Sequence, residues 1–116
     1  MNTIFILNDP PYGTERSYNA LRLAGALAKR EGTDVRLFLL GDATACAKRG
    51  HVVPQGYYNI NSMLHTLTLR RVPIGVCGTC MAARGMTDAE LVDGARRSTL
   101  DELAEWTTWA GKVVVF

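Results

Sequence analysis

The chain opens on a short apolar run, Thr3-Ile4-Phe5-Ile6-Leu7, stopped by Asn8-Asp9-Pro10-Pro11. The run is continuous rather than alternating, which is the pattern of a strand buried on both faces of a parallel sheet. Pro10 and Pro11 force an extended loop after it. The period then changes. Tyr18, Leu21, Ala24 and Ala28 recur at helical spacing and predict a helix over 14–29. Thr14 is placed to cap it, Glu15 suits its positive end and Lys29-Arg30 its negative end, with Glu31-Gly32 as the stop.

The alternation continues. Asp34-Val35-Arg36-Leu37-Phe38-Leu39-Leu40 reads as a second strand, closed by Gly41-Asp42. A short helix over 43–48 and a Gly- and Pro-containing loop or lid over 50–58 follow. Residues 59–70 read as a helix with Ile60, Leu64 and Leu67 on one face. Residues 72–77 read as a third strand. Gly85 stops a helical turn over 80–84, and Thr87-Asp88-Ala89-Glu90 reads as a capping box opening a helix to about 93. Residues 96–98 read as a small fourth strand. Thr99-Leu100-Asp101-Glu102 is a second capping box, whose helix turns Leu100, Leu103, Trp106 and Ala110 inward. Lys112-Val113-Val114-Val115-Phe116 is the last strand. Strands alternating with helices predict a three-layer α/β/α sandwich with a five-stranded, mostly parallel sheet and right-handed crossovers.

Composition adds limits. The chain has 116 residues, 47% of them hydrophobic, which suits one folded domain rather than two or a disordered segment. Thirteen Lys and Arg against eleven Asp and Glu give a net charge of +2, and the basic residues are scattered in pairs. That argues against a nucleic-acid partner, which needs a clustered basic face. No apolar run approaches the roughly 20 residues that span a bilayer, and Met1 to Phe5 carries no signal-peptide features. Three cysteines, two of them close together, do not make a secreted disulfide framework. The expected setting is reducing and cytoplasmic.

The chemistry concentrates in Cys77-Gly78-Thr79-Cys80. Ligands of open α/β sheets bind at the carboxyl ends of strands. Cys77 ends a strand, Gly78 permits a tight turn, and Cys80 opens a helical turn. A thiol beside unpaired backbone amides is stabilised as thiolate, the nucleophilic form. Arg84 follows one turn later and adds positive charge, or is simply solvated. Asn8, Asp9, Tyr12 and Gly13 form the first strand-end loop, which either caps a turn or lines the mouth beside Cys77. That loop lacks the glycine-rich phosphate cradles, so no nucleotide cofactor is expected. The cysteine pair also admits other readings: two inert packed thiols, a zinc half-site, or a thioredoxin-like dithiol. Zinc lacks two further ligands, because Cys46, His51 and His65 show no ligand spacing, so no metal is expected. Cys46 reads as packed and His65 as a surface residue. His51, Tyr57 and Tyr58 either cover the cysteine mouth or fill a subunit contact. Trp109 reads as an edge residue.

These segments together resemble the DsrE/DsrF-like family of small sulfur-relay proteins, particularly its stand-alone members. The resemblance spans the whole chain. It is carried by the opening strand with its Pro11-Tyr12-Gly13 loop, by Val35 through Ala43, by the close from Leu100 to Phe116, and most specifically by Cys77-Gly78-Thr79-Cys80-Met81-Ala82-Ala83-Arg84-Gly85. It implies a five-stranded α/β/α fold and a homo-oligomer, trimer or hexamer. It also implies a cysteine that takes sulfane sulfur from a donor as a persulfide and passes it to an acceptor protein or small thiol. Counted back from Arg84-Gly85, that cysteine is Cys77. Cys80 has no counterpart in the single-cysteine relay members. With two thiols, a Cys77 persulfide can be resolved by Cys80 as a disulfide, releasing sulfide. The amides of Gly78 to Cys80 would steady the negative sulfur. The other classes kept open are an oligomeric small-molecule or partner-binding module and a dithiol redox protein.

Overall fold

In the computed structural model, which describes residues 1–116, the apolar runs form one five-stranded sheet: β1 (Asn2–Leu7), β2 (Asp34–Leu39), β3 (Ile74–Cys77), β4 (Ala95–Ser98) and β5 (Lys112–Val115). All pairings are parallel and the order is β4-β3-β2-β1-β5. The chain therefore marches from β1 to β4 in one direction and then returns past β1 to place β5. Right-handed crossovers then put the first connections on one face and the last on the other.

The two faces are covered very unequally. One carries α1 (Arg16–Ala28), a 3₁₀ segment (Gly41–Ala47), α2 (Ile60–Leu69) and α3 (Gly78–Ala83). Their inward residues, including Leu21, Ala24, Cys46, Ile60, Leu64 and Met81, form a cluster of 20 buried residues with Phe5, Leu37, Ile74 and Val76 of the sheet. The other face carries only α4 (Leu100–Trp109). Its core is five residues: Ile4, Phe38, Cys77, Leu103 and Trp106. Alternation along β3 explains the split, since Ile74 and Val76 point one way and Gly75 and Cys77 the other. No helix is long and apolar enough to cross a membrane.

Several elements differ from the sequence expectation for local reasons. The first helix starts at Arg16 with Glu15 as its N-cap residue; Thr14, one residue earlier, accepts the Arg16 N–H at 3.4 Å while its hydroxyl donates to Asp9 at 3.0 Å. The segment after β2 is a 3₁₀ helix rather than an α-helix. β3 is four residues long because the Val72 N–H is spent closing α2, on the carbonyl of Leu67. The helix expected to reach 93 is a single 3₁₀ turn, Asp88–Glu90. Leu91 is extended and bridges to Lys48. Glu90 does accept the Thr87 N–H, at 2.9 Å, as the capping box requires. At α4 the box is half made. Thr99 accepts from the Glu102 N–H at 3.1 Å, but the Glu102 carboxylate turns to Ser98 and Arg96. Leu100, expected inward, is 68% exposed, so Leu103 and Trp106, with Ala110 partly buried beside them, seal this face.

Candidate active site around Cys77

Cys77 is the last residue of β3 and the N-cap of α3. Its sulfur accepts the backbone N–H of Cys80 at 3.4 Å and lies 3.2 Å from the Thr79 hydroxyl. Burial pushes the thiol up. The Cys80 thiol, the Thr79 hydroxyl and the N–H groups of Cys80 and Thr79 more than offset it, and the net shift is below the ordinary thiol value. Cys80 moves the opposite way: burial and its neighbour Cys77 raise it, against the Gly41 backbone and the Arg84 charge. The pair is thus polarised: Cys77 is the more acidic thiol of the two and Cys80 the less acidic. Both are free thiols.

Glycines make room for this arrangement. A Cβ at Gly75 would sit 2.9 Å from the Phe38 ring, which forms the floor beneath Cys77. Phe38 meets Trp106 edge-on at 6.0 Å, and Trp106 in turn lies under Arg36 and Arg96. Arg96 is also paired with Glu102 at 2.7 Å, so both α4 and the floor are fixed. A Cβ at Gly78 would come 3.1 Å from both Arg97 Cγ and the Ser98 carbonyl oxygen. Gly78 was expected to serve a tight turn; what requires glycine here is close approach to β4, and its φ is not positive.

In front of Cys77 lies an open cavity of about 540 Å³, lined by Cys77, Gly78, Thr79, Arg97, Ser98, Thr99 and Leu100. Cys77 is 5% exposed, a recessed sulfur rather than a surface one. Of the residues singled out from sequence, Cys77, Gly78 and Thr79 meet at this cavity. The others do not line it. Cys80 is partly buried behind, packed against the small cluster. Arg84 donates to the Cys80 carbonyl at 3.1 Å and forks onto Asp42 at 2.8 Å. The Asn8 amide donates to the Phe116 carbonyl. Asp9 accepts from Thr14 and lies 3.8 Å from Arg16. The Tyr12 hydroxyl bonds His51 at 2.9 Å and accepts the Ile60 N–H, while Tyr58 stacks between the rings of Tyr12 and Tyr18. Gly13 is in the left-handed region at φ 98°, which glycine tolerates. The loop turns toward the thickly covered face, where α1 begins, whereas the Cys77 sulfur points to the other. Arg97, Ser98 and Thr99 were not singled out as site residues. They lie some twenty residues from Cys77 in sequence, and only the β3–β4 register, Cys77 opposite Ser98, brings them there.

The other cysteine is placed differently. Cys46 is fully buried in the large cluster, where desolvation raises it to about 12. No three His, Cys, Asp or Glu side chains converge in a way that could hold a metal ion.

This arrangement suits nucleophilic sulfur chemistry: a recessed thiol made more acidic by its neighbours, beside a cavity of small-molecule size. Known proteins place it in context. Protein YchN of Escherichia coli (strain K12) is 45% identical over 114 residues, covering 97% of each chain. The uncharacterised protein MJ0989 of Methanocaldococcus jannaschii is 34% identical over 116 residues, covering 100% of both. The crystal structure of the ychN protein from E. coli superposes with a TM-score of 0.92 at 46% identity, covering 100% of both chains. MTH1491 from Methanobacterium thermoautotrophicum, a protein of unknown function, shares the fold at 14% identity, with a TM-score of 0.76 and coverage of 99% of this chain and 98% of that one. The DsrE/DsrF-like family model matches residues 1–116. The chain belongs to the DsrE/DsrF-like family.

Proposed function

We propose that the protein is a sulfur-relay carrier in which Cys77 holds sulfane sulfur as a persulfide. The observation that carries this reading is the Cys77 sulfur, stabilised as thiolate by the Cys80 N–H and the Thr79 hydroxyl at the bottom of a cavity. In loading, the Cys77 thiolate attacks the outer sulfur of a donor R–S–SH. The donor S–S bond breaks, R–S⁻ leaves with its electron pair, and Cys77–S–SH remains. In delivery, an acceptor thiolate attacks the terminal sulfur, takes it as its own persulfide, and Cys77 leaves as thiolate. The same amide and hydroxyl that lower the thiol steady it as leaving group in this second step.

Cys80 supplies a second outcome. Once deprotonated, it can attack the Cys77 sulfur of the persulfide, expel HS⁻ and leave a Cys77–Cys80 disulfide. A dithiol reductant then resets the pair. The adjacency of the two free thiols favours this branch. Such chemistry belongs in a reducing compartment, and a cytoplasmic location is part of the proposal. So is a homo-oligomer, trimer or hexamer: Leu100, Val113 and Val115 are 68%, 50% and 62% exposed, apolar surface that assembly would cover.

The test is intact mass without reductant after exposure to polysulfide, or to a cysteine desulfurase with cysteine, for wild type, Cys77→Ser and Cys80→Ser. Gain of one sulfur in Cys80→Ser, and in wild type either that gain or the two-hydrogen loss of the Cys77–Cys80 disulfide, both absent in Cys77→Ser, supports the reading. No gain in any of the three overturns it and leaves a binding module. Light scattering on the same samples tests the assembly.

A further inference from the structure

We propose that the Cys77 cavity takes a small sulfane donor bearing an oxyanion, and that Arg97 recognises that oxyanion. The inference rests on the sulfur-relay reading and names its substrate class. Two observations carry it. The first is access. Cys77 is only 5% exposed, and what reaches it is a cavity of about 540 Å³. That volume suits a small molecule. A recessed sulfur in a small cavity favours a slender donor over direct contact with the surface of a donor protein.

The second is charge. Of the seven residues lining the cavity, Arg97 is the one with a charged side chain. Its placement is fixed from two sides: Nε donates to Asp88 and Nη1 donates to the Gly78 carbonyl at 3.1 Å. A guanidinium has five N–H donors. Two are spent on holding the fork, and the other three are available, beside the residue that follows the nucleophile. Arg97 packs closely over Gly78, 3.1 to 3.2 Å from where a Cβ would sit, which keeps the guanidinium beside the residue that follows Cys77. The Thr99 hydroxyl, whose oxygen already accepts the Glu102 N–H, keeps its own proton to donate at the same cavity. The rest of the wall is largely uncharged, so an oxyanion has one place to go. Asp88 offsets part of the long-range charge of Arg97; what remains is directional hydrogen bonding, which selects by geometry more than by steering.

The chemistry balances for both kinds of oxyanion donor. With thiosulfate, the Cys77 thiolate attacks the outer sulfur, the S–S bond breaks, and sulfite departs with the electron pair. The persulfide stays on Cys77 as Cys77–S–S⁻, and no proton moves. With a carboxylate-bearing persulfide, the outer sulfur and its proton transfer together and the parent thiolate leaves. In each case Arg97 holds the oxyanion while the sulfane sulfur faces Cys77. Arg97 is thus a positioning residue, acting on the donor and not on the transferred atom.

The test compares two donors that differ in one charge and one methyl group, N-acetylcysteine persulfide and its methyl ester, with thiosulfate as a third arm. Loading of Cys77 is followed by intact mass over a range of donor concentrations, for wild type, Arg97→Gln and Arg97→Lys. Each rate is referenced to the same donor reacting with free cysteine. The expected result is a wild-type preference for the acid over the ester of about 10- to 100-fold, the size of one charge-assisted hydrogen bond. Arg97→Gln removes that acid-over-ester preference through the half-saturating concentration, and Arg97→Lys restores part of it. Dependence of thiosulfate loading on Arg97 identifies the sulfonate arm as well. Equal loading of acid and ester in wild type overturns the inference while leaving the carrier reading intact, and that comparison holds even if a variant fails to fold. No loading from any donor overturns both.

Discussion

Cys46 and Cys77 are both buried thiols in the same small sheet protein, and their acidities move in opposite directions. Cys46 lies in the large cluster on the thickly covered face. The Ser17 hydroxyl is beside it, and desolvation dominates, pushing it up to about 12. Cys77 lies in the five-residue cluster on the other face, and burial pushes it up as well. The difference is donors. Cys77 sits where a strand runs into a helix, so the Cys80 N–H has no helical partner and turns to sulfur, joined by the Thr79 hydroxyl. Burial alone makes a cysteine inert; burial with convergent donors makes it a recessed nucleophile. The asymmetry of the sheet matters too. One helix covers the Cys77 face and leaves a cavity open, whereas the other face is covered by α1, α2, α3 and the 3₁₀ segment that carries Cys46.

The most drastic way to break the comparison is to remove its reactive member. Cys77→Ser abolishes sulfur loading in the mass assay, while Cys46→Ala leaves loading in place. Next in size is an alkaline effect at Cys46, to which the raised Cys80 adds with the same sign. The folded value of Cys46 lies above the unfolded one, so its contribution to stability is fully present below the unfolded thiol range. That contribution is lost as pH rises from about 9 toward about 12. Denaturant titrations should show stability falling by about 1.4 kcal/mol per pH unit over that window, with the Cys46 part of the slope absent in Cys46→Ala. Cys77 has the opposite sign: its lowered value contributes stability above the unfolded thiol range, lost as pH falls through its folded value.

A smaller effect tests the floor under Cys77. Gly75→Ala places a Cβ 2.9 Å from Phe38, and should cost about 1–3 kcal/mol by chemical denaturation, as overpacked cores do. The smallest effect sharpens the donor argument. Thr79→Val removes one hydrogen-bond donor and should raise the Cys77 alkylation midpoint by up to about one pH unit, leaving Cys46 unmoved.

Much of this layout is written locally and was legible from residues alone. The continuous apolar runs identified β1 and β2. The spacing of Ile60, Leu64 and Leu67 identified the buried face of α2. The Cys-Gly-Thr-Cys segment marked the strand end. What was illegible depends on contacts distant in sequence. Arg84 is one helical turn from Cys80 and reads as local positive charge or as solvated, yet its side chain forks onto Asp42 in the 3₁₀ segment after β2. Arg97 reads only as part of a small strand over 96–98, yet parallel pairing of β4 with β3 sets it over Gly78. Leu100 looked like a core residue by spacing, but as the first residue of α4 it projects past the edge of the small cluster. Tyr12 was read beside the cysteine loop, and its hydroxyl instead ties His51 to the start of α2. In each case periodicity gave the element, and only strand order and register decided which neighbour a side chain met.

The most direct measurement is site-resolved alkylation of the three cysteines against pH in the native protein, read by peptide mass spectrometry. The account predicts that Cys77 reacts first, with a midpoint below the roughly 8.5 of a free thiol, that Cys80 follows at higher pH, and that Cys46 is modified only after unfolding. Cys77 titrating at or above the free-thiol value, or Cys80 reacting before it, would contradict the claim that donors at the end of β3 make Cys77 the nucleophile.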